Sequence, residues 1–191
     1  MSDNGKDPAG DGTQIFVVYV EDKPGVLNRV ASLFRRRAFN IDSLAVGPTH
    51  QPGVSRMTIV MQADEVVARR VEANLYKLVN VLRVENVTHV PLVTRDLALI
   101  KVKANAAERA QVLQMCDVFR ARAVDVGPEA LIVEITGTEE KIESLCELLR
   151  PFGILELVRT GRIAMTRGSE VPSINPEFVA AEVPNGVSNE T

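Results

Sequence analysis

Tryptophan is absent from this chain of 191 residues, and cysteine and histidine each occur only twice. Cys116 and Cys146 sit among apolar residues of helical pattern, far apart and with no histidine cluster nearby, so they read as core thiols and not as a metal or redox pair. His50 falls in a turn-rich loop and His89 at a strand end, and neither belongs to a nucleophile, metal or acid–base motif. Phosphate-binding glycine fingerprints are missing too. The Gly-Pro pairs at Gly47 and Gly127 read as strand ends. Long apolar runs are lacking: "QIFVVYV" and "DLALI" fall far short of the roughly 20 residues that cross a bilayer. Met1 opens an Asp/Gly/Asn-rich polar stretch, so a cytoplasmic protein without membrane contact is expected. A net charge of −3 gives no electrostatic reason to seek nucleic acid. Aromatic residues are scarce where an RNA-binding sheet would stack bases, with only Phe16 and Tyr19 in the first strand and none in "SRMTIVM".

What is present is a globular composition, 46% hydrophobic and 25% charged. Residues 1–12 and 169–191 lack periodicity and read as flexible tails. Between them, Gln14 to Val20 reads as a buried strand and Pro24 to Arg37 as a helix whose Val26, Leu27, Val30, Leu33 and Phe34 recur at helical spacing. "NIDSLAVGP" and "VSRMTIVMQ" form a hairpin around "THQPG". Asp64 caps a second helix with Val67, Val71, Leu75 and Leu78 on one face, and "VLRVENVTHV" returns as a fourth strand. The order is βαββαβ.

The same order then repeats. "DLALIKVKA" is a strand, Ala106 to Phe119 a helix, "AVDVGP" and "ALIVEITG" a hairpin, and Thr138 to Leu149 a helix with Ile142, Leu145, Cys146 and Leu149 inward. "GILELVRTGRIAMTR" closes the cycle. "VGP" recurs at the same point of both cycles, at Val46 and Val126, as expected of a duplication. The expected fold is α+β, with two ferredoxin-like units over 13–90 and 91–168, joined by "HVPLVTRD", each an antiparallel sheet with helices on one face. Units of this size have thin cores and leave a sheet face or edge available, so dimerisation is expected.

Where the first strand meets the first helix, "EDKPGVLN" makes a charged corner. Helix starts carry unpaired N–H groups and partial positive charge that attract carboxylates. Gly25 has no Cβ to hold a ligand off the backbone, and Asp22 can accept from an ammonium group, so a zwitterion suits the corner. Asn40 is read as opening the second strand, on the same side of the sheet as the corner or at a facing subunit edge. The plainer reading has Asp22 capping the helix, Pro24-Gly25 making a turn and Asn40 stabilising another, with no ligand. Lys23, Arg29, Arg35, Arg36 and Arg37 form a basic patch. It is either a solvated helix end complementing the dipole or a docking surface for an acidic partner.

The stretch "YVEDKPGVLNRVASLFRRRAFNIDSLAVGP", with "SRMTIVM" and "LYKLVNVLRVENVT", resembles the regulatory small subunit of acetohydroxyacid synthase, also called acetolactate synthase. The likeness spans Thr13 to Gly168: the first unit resembles an ACT domain, an amino-acid-binding ferredoxin-like module, and the second that family's C-terminal domain. The resemblance implies a non-catalytic subunit that activates the catalytic subunit of the synthase and confers feedback inhibition by valine or another branched-chain amino acid. It implies no cofactor in this chain, with thiamine diphosphate, Mg and FAD on the catalytic partner. It further implies a homodimer through the ACT domain with the effector at the interface, touching Asp22, Gly25, Val26 and Leu27 of one copy and Asn40 and Ile41 of the other. The second unit carries "VKAN", Val102 to Asn105, at the offset of the corner, and is not expected to bind the same ligand. A stand-alone amino-acid-sensing regulator is the alternative.

Overall fold

The computed structural model describes residues 12–169, and the expectations for the terminal tails fall almost entirely outside them. Leu92–Met165 forms one compact unit and the remaining described residues form another.

In the first unit β1 (Thr13–Glu21) runs into α1 (Val26–Arg36), followed by β2 (Ser43–Pro48), β3 (Val54–Gln62), α2 (Glu65–Leu75) and β4 (Val81–Asn86). The antiparallel sheet has the order β2-β3-β1-β4, the ferredoxin-like arrangement. Strand alternation explains the packing. Phe16, Val18 and Val20 of β1 and Met57, Ile59 and Met61 of β3 point to the helices, where they meet Val26, Val30, Leu33 and Phe34 of α1 and Ala68, Val71 and Leu75 of α2. The face away from the helices is not free as expected, since Ile15, Val17, Thr58 and Val60 are buried as well. What this unit leaves open is an edge.

Its two edges differ. On β4, Val84 pairs with Val18, and the outward N–H and C=O of Val84 are both taken by the Tyr76 hydroxyl, at 3.2 and 2.9 Å. On β2, the Thr49 N–H bonds the Val54 C=O at 2.9 Å. Antiparallel alternation from that pair makes Gly47/Arg56, Ala45/Thr58 and Ser43/Val60 the hydrogen-bonded pairs. Leu44 and Val46 therefore turn their backbone groups outward, and Val46 is exposed.

The second unit comprises β5 (Leu92–Lys103), α3 (Arg109–Phe119), β6 (Arg122–Val126), β7 (Ala130–Gly137), α4 (Glu139–Leu149), β8 (Ile154–Arg159) and β9 (Ile163–Thr166). Sheet order β6-β7-β5-β8 repeats that of the first unit, with β9 also pairing β5. Both long strands shift register at the same place, β1 between Tyr19 and Val20 and β5 between Lys101 and Val102. By this landmark Asp22 to Gly25 correspond to Ala104 to Ala107, not to Val102 to Asn105, because spacing in sequence ignores loop-length differences between the copies.

Three elements depart from expectation. β5 begins at Leu92, inside the stretch read as a connection. The last stretch is two strands, broken where Thr160 bonds back to Leu97 through both backbone and hydroxyl. Residues 40–42 precede β2 and do not open it: the Phe39 N–H closes on Phe34 C=O, and the chain becomes extended only at Ser43.

Candidate functional site

The corner is built by backbone geometry. Gly25 is the residue before α1, with φ 82° and ψ −5°, a left-handed conformation that glycine adopts without cost. A Cβ placed on it would meet nothing within 4 Å, so the glycine faces open space.

The start of α1 is electrostatically uncompensated. No side chain caps it and its first turn holds no acidic residue. By contrast, Asp64 accepts the Val67 N–H at the start of α2 at 2.7 Å, with Glu65 in the first turn. Thr138 accepts the Lys141 N–H at the start of α4, with Glu139 and Glu140 beside it. In the second unit α3 likewise has no side-chain cap and no acidic residue in its first turn, but in the turn that leads into it Asn105 Oδ1 accepts the N–H groups of Ala107 and Glu108 at 2.9 and 3.1 Å. At α1 the Val26 N–H makes one long bond to Lys23 C=O, 3.4 Å, while the amides of Gly25, Leu27 and Asn28 meet no acceptor among the described residues. Helix polarity concentrates partial positive charge on such amides.

Asp22 does not cap the helix. Its N–H bonds Gly53 C=O at 2.8 Å, which fixes the corner to the β2–β3 hairpin, and its exposed side chain remains available beside the amides. Val26 is in the core, so only its backbone can meet a ligand, and Ile41 is half-buried against that core. Leu27 is exposed next to Gly25.

The corner is held from a third side by a residue that sequence reading passed over. Asn80, just before β4, donates from Nδ2 to Glu21 Oε2. Its Oδ1 accepts from Arg29 Nη1 at 2.6 Å, and its C=O accepts the Glu21 N–H at 2.9 Å. Lys23 Nζ lies 3.5 Å from Glu21 Oε1. Part of the basic patch is thereby accounted for: Arg29 holds Asn80, and Arg37 donates to Asn74 at 3.3 Å. Arg35 and Arg36 stand exposed at the last turn of α1, where they complement its dipole.

Asn40 is not on the corner's side of its own sheet. The Asp42 N–H bonds Val60 C=O, level with Ile15 at the start of β1, whereas the corner follows Glu21 at its end. That stretch of strand rises about 20 Å. Asn40 is exposed and donates to Asp42 Oδ1 at 2.7 Å. One copy of the chain therefore brings together Asp22, Gly25, Val26 and Leu27, and separates them from Asn40 and Ile41. Among the described residues no group of His, Cys, Asp and Glu is arranged to hold a metal ion, and no helix is long and apolar enough to cross a membrane.

Residues 16–83 match the family described as the AHAS small subunit-like ACT domain, and residues 95–168 that described as the small subunit of acetolactate synthase. The chain is 48% identical over 158 residues to the probable acetolactate synthase small subunit of Methanothermobacter thermautotrophicus, covering 82% of this chain and 94% of that one. It is 47% identical over 159 residues to the acetolactate synthase small subunit of Mycolicibacterium smegmatis, covering 83% and 94%. The crystal structure of the acetolactate synthase small subunit from Thermotoga maritima superposes with a TM-score of 0.78 at 38% identity, covering 83% of this chain and 99% of that one.

Proposed function

This chain belongs to the acetolactate synthase small-subunit family, and from that premise we propose that it activates the synthase's catalytic subunit and makes it sensitive to feedback by valine or another branched-chain amino acid. The uncapped, acid-free start of α1 behind Gly25 carries this reading. Its free amides suit the effector's carboxylate, and Asp22 suits its ammonium group. Thiamine diphosphate, Mg and FAD belong to the catalytic partner, the chain itself working without a cofactor in the cytoplasm. Arg35 and Arg36 offer a basic surface to an acidic patch of that partner.

The site is completed by a second copy. The outward backbone groups of Leu44 and Val46 allow two β2 strands to pair about a twofold axis, and such pairing is antiparallel. An antiparallel pair sets the end of one unit against the start of the other, which brings Gly25 of one copy toward Asn40 and Ile41 of its partner. The separation of these residues within one chain is then a requirement of the shared site. An effector bound there shifts the holoenzyme only if one arrangement of the pair binds it better, and a coupling of about 1–3 kcal/mol gives roughly 5–150-fold modulation.

Calorimetric titration with L-valine, L-leucine and L-isoleucine tests the reading. Gly25→Asp places a carboxylate in the open space before the amides and is expected to abolish the valine response while the chain still activates the synthase. A normal valine response in that variant removes the corner as the site.

A further inference from the structure

Asn80 joins three pieces of backbone that border the corner. Its side-chain amide reaches Glu21 at the end of β1 and Arg29 in the first turns of α1, and its own C=O receives the Glu21 N–H. The strand end and the helix start are the two walls between which the free amides of Gly25 and Leu27 lie, and one amide side chain ties both walls together. Arg29 is an exposed side chain on a solvent-facing turn, and its 2.6 Å bond aims its guanidinium toward the corner. Glu21, half-buried, is held by Asn80 on one oxygen and by Lys23 on the other, so its charge is matched before any ligand arrives.

We propose that Asn80 is a positioning residue for the amino-acid effector: by bridging Glu21 and Arg29 it sets the spacing of the corner, and with it the affinity for the effector, without touching the ligand. The proposal deepens the reading of the Gly25 corner as an effector site and rests on it. The amide is suited to the task because one end donates and the other accepts, matching an acid on the strand and a base on the helix. An aspartate at position 80 would keep the acceptor for Arg29 and set a second carboxylate against Glu21.

The test compares Asn80→Asp, Asn80→Asp with Glu21→Gln, and Gly25→Asp in the full chain, alone and with the catalytic subunit. L-Valine affinity is read by calorimetry, and amide hydrogen exchange is read at Glu21, Asp22 and Arg29. Asn80→Asp is expected to weaken valine binding about tenfold or more, the scale of losing a charge-assisted hydrogen bond, and to speed exchange at the three amides. The double variant reverses the direction of the bond at the same net charge, with the amide now on the strand and the carboxylate accepting from it, and is expected to restore both readouts. Such a rescue is foreign to a residue that merely fills space. Should Asn80→Asp not fold, Arg29→Gln on the exposed helix face removes the other half of the bridge, with a loss of several-fold expected. If Gly25→Asp loses valine while Asn80→Asp binds it normally, the effector site stands and the role of Asn80 is overturned. If no branched-chain amino acid binds the unaltered protein under either condition, the effector reading falls. The role of Asn80 in effector affinity falls with it, and exchange then reads only whether the bridge holds the corner.

Discussion

At the scale of single residues, the corner and its distant partner make different demands. Asn40 is exposed and bonded to Asp42, so Asn40→Ala is expected to leave stability nearly unchanged. Its effect should appear in effector affinity, as a loss of about 1–3 kcal/mol from a polar ligand left without its partner. Equal affinities by calorimetry would remove Asn40 from the site. Asp96 is the opposite case, a buried carboxylate whose pKa is raised chiefly by desolvation and pulled back by Arg162, 3.5 Å away. A folded-state pKa above the unfolded one means that stability is fully present below the ordinary carboxylate range and is lost as pH rises through the folded value. Asp96→Asn should therefore flatten that fall, gaining on the parent chain between acid and neutral pH in denaturant titrations. A constant difference across that range would show that Arg162 already offsets the burial. Gly25 and Asp22 could be picked out from sequence because a Pro-Gly corner before an apolar-periodic helix has local causes. Asn80 could not, since its partners lie 51 and 59 residues away and only the folded return of the α2–β4 loop brings them near.

At the scale of elements, local signals were most informative where they were also structural causes. Asp64 accepts the Val67 N–H at 2.7 Å as its place before an apolar helix suggests, and Asp64→Ala is expected to cost about 1 kcal/mol in chemical denaturation without altering the valine response. A change in effector affinity would mean that α2 is coupled to the corner more tightly than its cap implies. A continuous run of β-branched and aromatic residues located β1, which is buried on both faces, and helical spacing located the inward face of α4, because burial on one side imposes that period. Strand limits were harder to read. β5 extends back to Leu92 because β9 pairs with it, and the break between β8 and β9 depends on Thr160 bonding to Leu97. Neither cause lies in the local sequence. Residues 40–42 escape a sequence pattern for a similar reason, since Ile41 is apolar enough to continue the strand but packs against the core before the ladder begins.

At the scale of the whole molecule, Tyr76 on the backbone of Val84 in β4 and the outward backbone groups of β2 favour β2 as the edge for the proposed pairing of copies. The Val46 N–H points outward from the β2–β3 ladder, so Val46→Pro removes a donor from the edge without breaking a bond inside the unit. Sedimentation is expected to show a weakened dimer, and the valine response should fall with it, since Gly25 and Asn40 are then no longer brought together. A dimer of unchanged strength would place the interface elsewhere. The two units differ in the turn that leads into the helix. In the first, three amides wait for an acceptor. In the second, Asn105 supplies one from within the chain, tethered a few residues from the N–H groups that it satisfies. A tethered group meets those N–H groups without the loss of translational freedom that binding a dissolved amino acid costs. The second corner thus carries its own acceptor, and an amino acid of the kind proposed for the first is expected to leave it untouched.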